Sequence, residues 1–124
     1  GPTQRITAFY HGADVLVHPT YYDPCSRVVL EALAAGLPVI TTRFNGAAER
    51  ITTGRHGYVI DSPDDVAGLA DAIARLTDDH HRRTCAVAAP EATTGISMRE
   101  HARQALSLYN ELVAAGTLRR GGYR

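Results

Sequence analysis

Three short runs rich in β-branched residues, Val15-Leu16-Val17, Val39-Ile40-Thr41-Thr42 and Tyr58-Val59-Ile60, are separated by stretches with helical spacing. Strands alternating with helices build βαβ units, whose right-handed crossovers leave the strands parallel. The expected class is therefore α/β: part of a Rossmann-like parallel sheet of about three strands with helices against it. A parallel sheet that thin leaves an outer strand with unpaired backbone groups where further strands normally lie. Upstream strands are therefore expected in a longer parent chain, and so is a dimer through the exposed sheet edge when this stretch stands alone.

Local signals place the helices. Ile6, Phe9, Tyr10 and Ala13 share a helical face, with Gly12 at the stop. Ser26 to Ala35 is rich in helix formers and is closed by Gly36 and Pro38. Asn45-Gly46 marks a turn, and Ala47 to Ile51 suits a short helix. Ser62-Pro63-Asp64-Asp65 combines a capping hydroxyl, a proline for the first helical position and first-turn acids, so a helix is expected from there to Leu76. A further helix around Arg82 to Ala89 is interrupted at Pro90, and an amphipathic helix carries Met98, Ala102, Ala105, Leu106, Tyr109, Leu112 and Val113. Residues 1–116 are expected to form one domain and residues 117–124, with two glycines and three arginines from Leu118 to Arg124, a flexible tail.

Charge and cysteine content exclude several classes. Thirteen Lys and Arg balance thirteen Asp and Glu, so neither nucleic acid nor an anionic membrane is an expected partner. Every apolar stretch falls far short of the roughly twenty residues a spanning helix needs. Cys25 and Cys85 form no short pairing motif, and a reducing cytoplasm fits them best. The parent can still touch a membrane through other parts.

The loop from His18 to Ser26 follows the first strand. Ligands of open α/β sheets sit beyond the carboxyl ends of the strands, where helix N-termini offer N–H groups to phosphate. Asp23 and Glu31 are eight residues apart, a span of up to about 12 Å along a helix. Carboxylates accept hydrogen bonds from hydroxyls, whereas a diphosphate prefers the N–H groups between them. The same residues have a structural reading: Asp23-Pro24 as an N-cap followed by proline, and Arg27 with Glu31 as an exposed pair worth about 0.2 to 0.5 kcal/mol.

The phrases His18-Pro19-Thr20-Tyr21, Asp23-Pro24-Cys25-Ser26-Arg27-Val28-Val29-Leu30-Glu31-Ala32 and Ala35-Gly36-Leu37-Pro38-Val39-Ile40-Thr41-Thr42 resemble glycosyltransferase family 4, the group 1 enzymes of GT-B fold. The likeness continues through Asn45-Gly46-Ala47-Ala48-Glu49 and Gly57-Tyr58-Val59-Ile60 to the helix near Pro63. It implies the C-terminal, donor-binding domain of a retaining enzyme that moves a hexose from a nucleotide diphosphate sugar, UDP-linked, to an acceptor held by an N-terminal domain absent from this chain. It also implies that Asp23, the first carboxylate of the pair, is the catalytic residue that contacts the transferred sugar. Backbone around Ser26, Arg27 and Val28 meets the sugar and diphosphate, Glu31 binds the ribose, and no metal or other cofactor takes part. Asp23 stands where the family most often has Glu, and Pro24-Cys25-Ser26 replaces a common Gly-Phe-Gly. Within the family, the His-Pro-Xaa-Tyr and Ala-Gly-Leu-Pro-Val phrases resemble lipopolysaccharide-core glucosyltransferases.

Further candidates are His18, at the ligand edge, Cys25, read as a small loop filler without His or acid partners, and Gly46 with Glu49, which set a turn near the pocket. His80-His81 beside Arg82-Arg83 reads as a solvated helix face, because adjacent helical residues point about 100° apart and no tetrahedral ligand set accompanies them. Two other readings stay open: a non-catalytic nucleotide-sugar-binding module, and a plain protein-interaction domain in which Asp23 caps and Glu31 pairs.

Overall fold

A computed structural model describes residues 3–115. The elements run α1 (Ile6–Gly12), β1 (Leu16–His18), α2 (Arg27–Ala34), β2 (Val39–Thr42), a 3-10 helix (Gly46–Arg50), β3 (Gly57–Ile60), α3 (Val66–Thr77), α4 (Asp79–Ala88), a second 3-10 helix (Ala89–Thr93) and α5 (Met98–Ala114). They fall into two compact units, the first ending at Thr93 and the second beginning at Thr94. The expected tail lies outside the described residues.

In the first unit the three strands form a parallel sheet in the order β1-β2-β3. The expected α/β class and its parallel sheet are present. Leu16 pairs with Val39 and Val39 with Gly57, so β2 is central and all four of its residues are buried. Successive side chains of a strand point to opposite faces. Val39 accordingly joins a core with Val29, Ala32, Leu33, Leu37, Ala47 and Tyr10, whereas Ile40 joins Ile60, Ala72, Leu76 and Cys85. Helix α2 covers one face; α3 and α4 cover the other. Gly57 can only be glycine, since its φ is +138° and a Cβ there would lie 2.0 Å from the Val39 carbonyl oxygen.

Helix α2 ends in a Schellman motif: the Leu37 N–H donates to the Ala32 carbonyl at 2.9 Å and the Gly36 N–H to Leu33 at 3.0 Å, with Gly36 at φ +80°. Three expectations need correction. Strand β1 is Leu16–His18, one residue later than Val15–Val17, because its register is set by β2. The cap of α3 is Asp65, which accepts the Gly68 N–H at 2.8 Å, while Ser62 and Pro63 form a preceding turn closed by Asp65 N–H on the Ser62 carbonyl. Pro90 does not simply break α4, which has already ended, but sits inside the second 3-10 helix.

In the second unit, Ser97 caps α5 by accepting the Glu100 N–H at 3.2 Å. Hydrogen bonds from Arg103 and Gln104 hold the Glu100 carboxyl down at about 2. Met98, Leu106, Tyr109 and Val113 are exposed on this helix. No helix among the described residues is long and apolar enough to cross a membrane.

Candidate functional site

At the carboxyl ends of β1 and β2, two loops are joined by backbone bonds. The Asp23 N–H donates to the Phe44 carbonyl at 3.3 Å and the Gly46 N–H to the Asp23 carbonyl at 2.8 Å, forming an isolated parallel bridge between Asp23 and Asn45. Asn45 is almost fully buried, and its Oδ1 accepts the N–H groups of Ser26 at 3.3 Å and Ala47 at 3.0 Å. Its Nδ2 donates to Thr41 Oγ1 at 3.2 Å, and that hydroxyl donates to the His18 carbonyl at 2.9 Å. A Cβ on Gly46 would stand 1.8 Å from the Pro24 carbonyl oxygen. Glycine therefore lets the second loop press directly against the first, beyond the turn-forming role that its sequence context suggests.

This bridge overturns the reading of Asp23 as a helix cap. Helix α2 begins at Arg27 with Ser26 as its N-cap, and no side chain makes a capping bond there. Asp23 instead accepts the Cys25 N–H through Oδ1 at 3.1 Å and faces His18 through Oδ2, 3.7 Å from Nε2. The first helical bond is Leu30 N–H to the Ser26 carbonyl at 3.2 Å. Among the described residues, the N–H groups of Arg27, Val28 and Val29 have no acceptor. An uncapped helix start with three such donors favours an anion. The Ser26 amide is already committed to Asn45.

Glu31 projects from the second turn of α2 with 42% of its side chain exposed and pairs with Arg27 at 3.3 Å. The expected pair is thus formed. Its other oxygen accepts the Tyr10 hydroxyl at 3.1 Å, from α1. Burial, and then the bond to Glu31, raises the Tyr10 phenol above its ordinary pKa. Tyr10 thereby fixes one carboxylate oxygen of Glu31. Helical spacing shows Tyr10 only as part of an apolar face, with no signal for the long-range bond.

The remaining candidates separate. His18 and Gly46 adjoin Asp23 directly. Cys25 is exposed with a free thiol, so it fills no interior space. Val28 is half-buried against the core. His81 is not on a solvated face: it is half-buried, its Nε2 lies 2.8 Å from the Tyr58 hydroxyl, and the Cys85 sulfur is 3.7 Å away. His80 is exposed and has no part in that cluster. Tyr21, also exposed, donates its hydroxyl to Asp64, which ties the β1–α2 loop to the start of α3 and raises the Tyr21 phenol.

The sheet and its open carboxyl edge define a Rossmann-like α/β domain. A family model described as "Glycosyl transferases group 1" matches residues 1–79. A D-inositol 3-phosphate glycosyltransferase of Corynebacterium urealyticum is 34% identical over 112 residues, covering 90% of this chain and 26% of that protein. A glycogen synthase of Mycobacterium tuberculosis is 43% identical over 75 residues, 60% of this chain and 18% of the synthase. Among solved structures, sucrose-phosphate synthase of Thermosynechococcus elongatus superposes with a TM-score of 0.75 at 34% identity, over 86% of this chain and 27% of that one. A glycosyltransferase of Rickettsia africae shares the fold, with a TM-score of 0.80 at 21% identity, over 91% of this chain and 31% of that one. This chain belongs to the group 1 glycosyltransferases. It spans about a quarter of the length of the first of these relatives.

Proposed function

We propose that the whole protein moves a hexose from a nucleotide diphosphate sugar, UDP-linked, to an acceptor held by an N-terminal domain, with retention and without a metal ion. This chain supplies part of the donor site. One observation carries the reading: Asp23 and Glu31 flank a helix start whose Arg27, Val28 and Val29 N–H groups have no acceptor among the described residues. The diphosphate takes those N–H groups, the ribose hydroxyls donate to Glu31, and Asp23 accepts from hydroxyls of the transferred sugar. The His18 ring stands beside the Asp23 carboxylate, Nε2 3.7 Å from Oδ2. The Ser26 amide is engaged by Asn45, which leaves the following amides to the donor. In this scheme the protein orients the donor and stabilises charge developing on the leaving diphosphate.

The relatives' names differ in what they act on or make, an inositol phosphate, glycogen and sucrose phosphate. That pattern supports a common donor half with a variable acceptor. For this protein we favour a cytoplasmic role in building lipopolysaccharide or another glycan, on the phrases His18-Pro19-Thr20-Tyr21 and Ala35-Gly36-Leu37-Pro38-Val39. Without an acceptor domain this chain alone is inactive and self-associates through the open edge of β1, which sedimentation at several concentrations reads directly.

The test is turnover by the full-length protein on a panel of nucleotide sugars, comparing wild type with Asp23→Ala and Glu31→Ala after both are shown to fold. Turnover of one donor that is lost in both variants supports the reading and names the donor. Full activity in either variant returns that residue to a structural role.

A further inference from the structure

Strand β1 stops at Pro19. Its last ladder pair is His18 with Thr41, and Pro19, next along, has no N–H with which to carry the pairing on. Pairing resumes at the Asp23–Asn45 bridge. Between these two pairs the β1 side advances five positions, from 18 to 23, and the β2 side four, from 41 to 45. Kept in ladder register, Tyr22 rather than Asp23 would stand opposite Asn45. Segment 19–22 therefore takes up one extra residue and acts as a bulge does, re-aiming the side chain that follows it.

Buried hydroxyls from β2 hold that extra length. Thr41 and Thr42 are both fully buried. Thr41 Oγ1 donates to the His18 carbonyl at 2.9 Å, and Thr42 Oγ1 donates to the Thr20 carbonyl. The Thr20 hydroxyl in turn accepts the Tyr22 N–H at 3.3 Å, and Asp23 follows directly. Side chains of β2 thus take over where the backbone ladder ends, and a chain of bonds runs from Thr42 through Thr20 to the residue before Asp23. Thr41 also accepts from Asn45 Nδ2, so its loss disturbs both loops, whereas the Thr42 hydroxyl serves segment 19–22. We propose that Thr42, acting through Thr20, is a positioning residue for transfer: its hydroxyl holds the one-residue slip that brings the Asp23 carboxylate to the sugar end of the donor site. The inference rests on the donor reading of Asp23. The proposed ribose and diphosphate contacts lie on α2 and do not depend on it.

The test is steady-state kinetics of the full-length protein, with whichever nucleotide sugar it turns over, on two variants. Thr42→Val keeps the side-chain shape and removes the hydroxyl; Thr42→Ser keeps the hydroxyl. Thr42→Val should lower kcat about tenfold or more, as a misplaced reacting group does. The donor KM should change little, the mark of a contact made in the transition state. Thr42→Ser should recover most of the loss. Cys85→Ala, in the core on the other face of the sheet, is the control: it should lower the urea midpoint and leave kcat as it was. Thr20→Val, at a half-buried position, breaks the next bond in the chain and gives the same readout should Thr42→Val fail to fold. The proposal is overturned if Thr42→Val, or Thr20→Val in its place, lowers the urea midpoint with kcat unchanged, as a purely structural bond would. It is overturned equally if Thr42→Ser is as slow as Thr42→Val, because methyl packing and not the hydroxyl would then matter. Asp23→Ala in the same assay separates the two readings. Loss of turnover there with full kcat in Thr42→Val removes the positioning role alone. Wild-type turnover by Asp23→Ala, or no turnover of any nucleotide sugar by the wild type, removes the donor reading and this role with it.

Discussion

Asn45 Oδ1 accepts the N–H of Ser26, nineteen positions earlier, at 3.3 Å inside the protein. One side-chain oxygen also takes the Ala47 N–H, so it fixes the entry to α2 and the start of the 3-10 helix together. Asn45→Ala leaves both buried donors without an acceptor and strips Thr41 of a partner. Each unsatisfied buried group costs about 1 to 3 kcal/mol, and a combined loss of about 3 kcal/mol is expected. Urea unfolding should show a midpoint lower by more than about 1 M. An unchanged midpoint would mean that the loop has another anchor.

Gly46 is constrained by contact rather than by dihedral angle. Its added Cβ meets the Pro24 backbone at 1.8 Å, and backbone cannot rotate away as a side chain can. Gly46→Ala should cost at least about 1 to 3 kcal/mol by overpacking and should shift the 23–26 loop. Gly12, at the end of α1, has open space around an added Cβ. Gly12→Ala is the control, expected to be neutral or slightly stabilising in the same unfolding assay. If both substitutions prove neutral, the close approach of the two loops is wrong.

The Tyr10 phenol ionises above its ordinary value when folded, through burial and then its bond to Glu31. The unfolded chain therefore releases this proton first, near pH 10, and binds fewer protons than the folded chain above that point. Stability from this group is fully present below about pH 10 and declines as pH rises towards the folded pKa. Tyr10→Phe should lose about 0.5 to 1.5 kcal/mol at neutral pH and should lack this alkaline component. Unfolding free energies of the two proteins should accordingly converge as pH rises past about 10. A gap of constant size would show that Tyr10 does not titrate with unfolding.

How far these features could be read in advance depends on the range of the interaction behind each. Strand β2 was legible to the residue because Val39 to Thr42 is buried on both faces and bounded by Pro38. The Schellman end of α2 was legible because Gly36 and Pro38 act within a few residues. Asp23-Pro24 carried an equally clear local signal for a helix start, and there a tertiary bond outweighed it: pairing with Asn45 holds Asp23 extended until α2 begins at Arg27. From its sequence neighbours His80 and Arg82, His81 reads as solvated, whereas its partner in the fold, Tyr58, comes from β3. The eight-residue spacing of Asp23 and Glu31 is legible as a local pattern. That Tyr10 steadies Glu31, and that Asn45 rather than a ligand occupies the Ser26 amide, depend on separations no local pattern encodes.

Glu31 has two roles to separate, the exposed pair with Arg27 and the proposed acceptance of ribose hydroxyls. Asp71 and Arg75 on α3 form a comparable i, i+4 pair, also largely exposed, far in sequence from the donor residues. Water screens both ion pairs, so Asp71→Ala should leave the urea midpoint close to wild type, whereas Glu31→Ala should lose only the Tyr10 hydrogen bond, about 0.5 to 1.5 kcal/mol. Their effects on the full-length protein should then diverge. Glu31→Ala is expected to raise the donor KM about tenfold or more, equivalent to about 1.4 kcal/mol of lost binding, and Asp71→Ala to leave it unchanged. Tyr10→Phe should fall between them, because it frees the Glu31 carboxylate without removing it. Steady-state kinetics with a saturating acceptor and varied nucleotide sugar distinguishes the cases. Equal KM values for Glu31→Ala and Asp71→Ala would reduce Glu31 to a surface pair and leave the open N-terminus of α2 as the only donor contact on this helix.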